Sequence, residues 1–177
     1  MNPLFACDAA SGLLHGLPYR PSPHRDARPA PDVSLLVLHG ISLPPGSFDG
    51  DAVEALFAGT LDGDAHPAFA ELRAVRVSAH LYVRRDGSAV QFVPLHERAW
   101  HAGVSQFGAR ARCNDFSIGI ELQGTDMTAY TPAQYATAAA LTRAIRAAYP
   151  AITAERIVGH SDIAPGRKTD PGPAFDW

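Results

Sequence analysis

The chain has 177 residues, 46% hydrophobic and 19% charged, with 15 Lys and Arg against 18 Asp and Glu for a formal charge of −3. That is one domain's worth of sequence, able to bury roughly 70% of its unfolded surface without disulfides or an obligatory partner. No apolar run approaches the ~18 residues of a membrane span and no Lys/Arg block marks a nucleic-acid or lipid surface, so neither a nucleic-acid nor a membrane partner is expected. Cys7 and Cys113 are too far apart to form a secreted-type disulfide framework. The opening MNPLFACDAASGLLHG has no basic start and no unbroken apolar stretch. Leu4-Phe5-Ala6-Cys7 is shaped like a lipoprotein cleavage site but has too few residues before the cysteine to hold the signal. A cytoplasmic monomer is expected.

Six of the 15 prolines fall in the first 32 residues, with Arg20, Arg25 and Arg28 among them. This predicts an extended arm over 1–32 that wraps the surface without regular structure, and a folded unit over 33–177. Ser34 to His39 is apolar on both faces, as in a strand buried mid-sheet. ISLPPGSFDG then reads as a loop, and DAVEALFA as a short helix entered from Asp49 or Gly50. Val75, Val77, Ala79, Leu81 and Val83 alternate with Arg76, Ser78, His80, Tyr82 and Arg84, predicting a half-buried strand with a polar face. Asp86-Gly87 turns into a second strand, Ser88 to Val93.

Phe116, Ile118, Ile120 and Leu122 predict another strand, with Ser117, Gly119 and Glu121 on its opposite face. Two small residues beside a carboxylate leave space above it. Thr131, Pro132 and Gln134 form a helix start with a capping box, and the helix is expected to run to Tyr149. Its apolar face would carry Tyr135, Ala138, Leu141, Ile145 and Ala148. A short strand over Arg156 to Val158 precedes a loop-like tail. The fold class is α/β, a mixed central sheet flanked by helices.

Of the eight histidines, His15, His24, His66 and His96 lie in the arm, before a proline or in a charged loop, where solvated or capping roles are expected. His39 and His160 each end a buried strand beside a glycine. That position suits either a histidine aimed into a cleft or one hydrogen-bonded within the core. No local H-x-x-x-H or C-x-x-C spacing exists, so a metal site would have to be assembled from distant segments. Lys168 is the only lysine in the chain and stands two residues before Asp170.

The stretches LLVLHGISLPPGSF, RVSAHLYVRRDGSAVQFVP, RAWHAGVSQFGARARCNDFSIGIELQGTD and GHSDIAPGRKTDPGPAFDW are spread across 33–177. In them the chain resembles the type-2 N-acetylmuramoyl-L-alanine amidases, most closely their cytoplasmic branch acting on 1,6-anhydro-muropeptides. The resemblance implies a mixed sheet flanked by helices, shared with peptidoglycan recognition proteins. It implies zinc as cofactor, with His39, His160 and Asp170 as ligands, Glu121 as general base and Lys168 as oxyanion stabiliser. The substrate would be an anhydro-muropeptide, cut between the lactyl group of muramic acid and the L-alanine of the stem peptide. Arg76 and Arg112 would meet its carboxylates, Arg76 from the strand face it shares with His80. Trp100 and His101 would pack on sugar or peptide, and His80 would support the sheet. Gly40 departs from the family pattern, where a side chain, often Asn, follows the first ligand. Two other functions are open: an amidase acting on intact wall, disfavoured by few basic residues and no signal peptide, and a non-catalytic muropeptide binder, disfavoured by the complete ligand set.

Overall fold

The structure is a computed structural model and describes residues 4–177. Its central sheet has five strands, β1 (Leu35–Ile41), β2 (Leu81–Val83), β3 (Ala89–Gln91), β4 (Ser117–Gln123) and β5 (Ile157–Gly159), in the order β5-β1-β4-β2-β3. β1 runs parallel to β5 and β4, β4 runs parallel to β2, and β3 closes an antiparallel hairpin with β2. The sheet is therefore mixed, as expected. Helices α1 (Ala52–Ala58) and α2 (Pro132–Ala148) flank it.

The two central strands are covered on both faces, so the alternation in their sequence marks no solvent-facing side. On β1 and β4, Leu36, Leu38, Ile118, Ile120 and Leu122 pack with Ala138, Leu141, Ala144 and Ile145 of α2. On the other face Leu35 and Val37 pack with Ala102, Phe116 and Ile163. Each such aliphatic side chain contributes about 1.5–3 kcal/mol when fully buried. A third cluster joins Val53, Leu56 and Phe57 of α1 to Tyr82 and Val90.

α2 starts as expected: Thr131 Oγ accepts from Gln134 N and Gln134 Oε1 accepts from Thr131 N, both at 3.1 Å. Gln134 Nε2 also donates to Gln123 O at 2.9 Å, tying the helix start to the end of β4. Its apolar face is shorter than predicted. Ala148 is exposed, and Ala140 and Ala144 are buried in its place. The Asp86-Gly87 turn forms with Gly87 at φ 84 and Arg84 N donating to Ser88 O at 2.8 Å.

Three expectations are corrected. The strand predicted from Val75 forms its ladder only over Leu81–Val83. Of its polar side, Ser78 and His80 are buried, with Ser78 Oγ donating to His24 O at 2.6 Å and His80 Nδ1 accepting from Gly119 N at 3.0 Å, while Arg76 is exposed. The segment 1–32 was expected to lack regular structure, yet Ala6–Cys7 pairs with Leu14–His15 and Arg25–Asp26 pairs with Arg98–Ala99. Proline blocks long ladders but leaves room for such two-residue pairs. Packing also crosses the 32/33 boundary: Phe5 and Leu14 join the main core, and Arg28 donates to Asn114 O at 3.0 Å and Ser117 O at 2.8 Å. The tail, expected to be loop-like, opens with one helical turn, α3 (His160–Ile163). No helix among the described residues is long and apolar enough to cross a membrane.

Candidate functional site

The candidate site lies at the C-terminal ends of the parallel strands, where open α/β sheets place their clefts. Register brings the chemistry together. Glu121 on β4 pairs directly with His39 on β1. Gly159 on β5 pairs with Leu38, which sets His160 beside His39. Asp170 arrives from the tail, its carbonyl accepting from Ser161 N at 3.0 Å.

His39 Nδ1 is 2.9 Å from His160 Nδ1, and Asp170 Oδ2 lies 3.2 Å from the first and 3.1 Å from the second. These three form the one cluster of metal-ligating type among the described residues. Zinc with ligand bonds of 2.0–2.1 Å sets its donor atoms roughly 3.3 Å apart, so the triangle is slightly compact but of the right size. The outer nitrogens fix the tautomers. His160 Nε2 donates to Ala102 O at 3.1 Å. His39 Nε2 lies 2.8 Å from His101 Nδ1, and His101 Nε2 lies 3.1 Å from Ser117 Oγ. Assigning a proton to each Nε2 satisfies all three contacts and turns both Nδ1 lone pairs inward. Facing lone pairs beside a carboxylate repel unless a cation lies among them, so the donor set fits a metal.

Electrostatics agree with that assignment. Burial, assisted by the neighbouring His160, lowers the His39 pKa to about 4, so the ring is neutral at pH 7, the state in which imidazole binds a metal. Burial would raise the Asp170 carboxyl; protons on His160 and His39 Nδ1 would outweigh it and hold it below the ordinary carboxylate range, and with both Nδ1 atoms unprotonated that stabilising role falls to a cation among the three. Glu121 goes the other way: burial, with Asp170 adding and Lys168 opposing, lifts it well above the usual value. Its Oε1 is 3.9 Å from His39 Nδ1, and its Oε2 is buried with no hydrogen-bond partner. Buried polar atoms are rarely left so in a fold without a functional reason. Glu121, Lys168, Asp170, His160 and Gly40 line one cleft of about 250 Å³, whose other wall is apolar, with Leu56, Phe57, Leu72, Val75 and Val77.

The residues expected to touch substrate are placed differently. Val75 and Val77 turn into the cleft, so Arg76 turns away, and its Nη1 donates to Arg73 O at 3.1 Å. It shares no strand face with His80. Arg112 is exposed at φ 63 and pairs with Asp115 at 3.2 Å, outside the cleft. Trp100 stacks on His24 and its Nε1 donates to Asp26 Oδ1 at 3.1 Å, which holds it among arm residues. His101 lines the cleft but braces His39 from behind. A Cβ on Gly119 would lie 2.6 Å from His101 Cγ, so this ring fills the space that Ser117, Gly119 and Glu121 leave open.

His80 supports the sheet as expected, its Nε2 3.1 Å from Glu97 O. His66 caps a short turn, accepting from Ala68 N at 3.1 Å. His24, expected to be solvated or capping, is buried, with Nδ1 3.0 Å from Val77 O. Two residues had no sequence signal of their own. Asn114 Oδ1 accepts from His101 N at 3.1 Å and Ala102 N at 2.8 Å, fixing the loop that receives His160. Tyr130 fills the space a side chain at position 40 would need.

Comparison with known proteins agrees with this geometry. Residues 29–173 match the family model described as N-acetylmuramoyl-L-alanine amidase. The chain is 62% identical over 167 residues to the 1,6-anhydro-N-acetylmuramyl-L-alanine amidase AmpD of Escherichia coli K12, covering 94% of this chain and 91% of that protein. It is 53% identical to AmpD of Haemophilus influenzae over 96% of this chain and 93% of that protein. A crystal structure of a selenomethionine AmpD derivative superimposes with a TM-score of 0.93 at 58% identity, over 97% of this chain and 94% of that one. The E. coli amidase AmiD, in complex with anhydro-N-acetylmuramic acid-L-Ala-D-γ-Glu-L-Lys, aligns with a TM-score of 0.62 at 34% identity, over 86% of this chain and 58% of that one. With its fold and nearly its whole length matched in this way, the chain belongs to the N-acetylmuramoyl-L-alanine amidase family.

Proposed function

We propose that this protein hydrolyses the amide between 1,6-anhydro-N-acetylmuramic acid and the L-alanine of the stem peptide, acting in the cytoplasm on soluble muropeptides from wall turnover, with zinc held by His39, His160 and Asp170. The observation that carries this reading is Glu121, a buried carboxylate whose Oε1 lies 3.9 Å from His39 Nδ1 of the His/His/Asp triangle and whose Oε2 has no hydrogen-bond partner. Zinc at that triangle would supply the Lewis acidity that activates water and an amide carbonyl at neutral pH. Glu121 takes a proton from water and delivers it to the leaving amine, acting first as base and then as acid. Burial, with the neighbouring Asp170 charge, raises its pKa, which favours its holding the proton it takes from water until the amine leaves. Lys168, at the exposed edge of the same cleft, opposes the negative charge that grows on the carbonyl oxygen.

The apolar wall of Leu56, Phe57 and Val75 excludes water from the scissile bond and strengthens both charges. Trp100 takes no part in this reading and His101 acts only through His39. Arg76 and Arg112, exposed outside the cleft, are left with the longer-range attraction of stem-peptide carboxylates. The substrate assignment follows from similarity to proteins named for that substrate and is tested by supplying anhydro-muropeptide and insoluble wall at matched muramoyl-peptide concentration. Release of an L-alanine-headed peptide from the first, with little from the second, is the expected result. Faster cleavage of intact wall would replace this reading with that of a wall amidase, and binding without cleavage would replace it with that of a recognition protein.

A further inference from the structure

Asp170 differs from the two histidines in what holds it. His39 and His160 stand at strand ends, whereas Asp170 sits in the irregular tail. A ligand on such a segment needs its backbone fixed to within about half an ångström to keep a metal site in shape. The backbone beside it is held from the face opposite His39. Tyr130 Oη donates to Pro171 O at 3.0 Å, and Tyr130 is only 5% exposed.

The slot that admits this side chain is made of glycines. An added Cβ at Gly40 would lie 2.3 Å from Tyr130 Oη and 3.5 Å from Pro171 Cα. One at Gly124 would lie 2.4 Å from Tyr130 Cε1, and one at Gly159 would lie 2.9 Å from Pro171 Cδ. Gly40 lies near the end of β1, Gly159 ends β5 and Gly124 follows β4, so three adjacent parallel strands leave one continuous hollow for Tyr130 and Pro171. Gly40 itself carries no side chain. In this chain its absence lets the tyrosine hydroxyl occupy that space.

We propose that Tyr130 is a positioning residue for Asp170, acting through its hydrogen bond to Pro171 O, and that Gly40 is the socket this hydroxyl requires. The inference rests on the reading of His39, His160 and Asp170 as a metal site. The ring of Tyr130 also packs edge-on against Phe175 at 5.3 Å, a contact phenylalanine would keep, so the hydroxyl is the atom to remove.

The test uses Tyr130→Phe, Gly40→Ala and the double variant. Zinc affinity is read by chelator competition, the absorption spectrum of the Co²⁺-loaded protein reports ligand geometry, and Tm of the metal-free protein reports folding. Tyr130→Phe should weaken zinc affinity about tenfold, the lower end for losing a contact behind a ligand, and alter the Co²⁺ spectrum, while the metal-free protein still unfolds cooperatively with Tm lowered by only the few degrees that one lost buried hydrogen bond costs. Gly40→Ala should weaken affinity in the wild-type background and cost little more in the Tyr130→Phe background, because both changes remove the same interaction. Wild-type affinity and spectrum in Tyr130→Phe would overturn the inference, as would an equal cost of Gly40→Ala in both backgrounds. If Gly40→Ala does not fold, Tyr130→Phe decides alone. A wild-type protein that takes up no zinc at these residues would overturn the metal reading itself and this inference with it.

Discussion

His39 Nε2 lies 2.8 Å from His101 Nδ1 and the two rings meet edge to face at 5.0 Å, so His101 holds a candidate ligand in place. With Ser117 Oγ at 3.1 Å behind it, the contact forms a short relay from β4 to the metal triangle. His101→Ala should therefore lower zinc affinity on the order of ten- to a hundredfold. Zinc retained after dialysis against a graded chelator measures this. Full retention with only a raised KM would return His101 to the substrate side of the cleft.

Glu121 should trade stability against activity. Its unpartnered, buried carboxylate is costly in the fold, so Glu121→Gln should leave metal-free stability unchanged or raise it by about 1 kcal/mol. Turnover should fall a hundredfold or more while zinc content holds. Urea denaturation, metal analysis and single-substrate kinetics on one preparation separate these effects, and loss of folding would show that the carboxylate is structural.

Lys168 is exposed and pairs with no carboxylate within salt-bridge distance among the described residues, so its removal has little to cost the fold. Lys168→Ala should keep Tm and zinc affinity near wild type and lower kcat by about a hundredfold through the lost charge on the developing oxyanion. A change confined to KM would make it a substrate anchor instead.

The metal-free protein should lose stability in acid from about pH 6.5 downward. Burial keeps His39, His80 and His101 neutral in the fold, with His39 at about 4 and the others well below 6.5, while the unfolded chain takes up protons below about 6.5. The unfolded state then binds more protons, so stability is present above that pH and is lost on going down. Each histidine contributes about 1.4 kcal/mol per pH unit, roughly 4 for three. Glu121, with its raised pKa, works in the opposite direction but is one group against three. Urea midpoints of metal-free protein at pH 7 and pH 5.5 test the sign, and equal midpoints would contradict it.

β4 and α2 were legible because each is set by local rules, period-two apolar residues in one and a capping box in the other. The ladder over Leu81–Val83 was overextended to Val75 because alternation persists where pairing stops, and that error carried Arg76 to the wrong side. The clustering of His39, His160 and Asp170 could be anticipated only through resemblance, since His39 and Asp170 are 131 positions apart and no spacing rule joins them. Trp100 and His101 were misplaced for a different reason. RAWHAG marks an aromatic and a histidine near a cleft but says nothing of whether they face the substrate or the layer behind it. Asn114 and Tyr130 act through backbone carbonyls and amides, which leave no pattern in a sequence.

The most direct measurement of the central claim pairs zinc content with product mass in one sample series. Wild type should hold about one zinc per chain and release the L-alanine-headed peptide from anhydro-muropeptide. Chelation should abolish both and added zinc should restore both, while Asp170→Ala should hold zinc poorly and cleave in proportion to what it holds. Undiminished cleavage by fully chelated protein, or by Asp170→Ala without metal, would contradict the account.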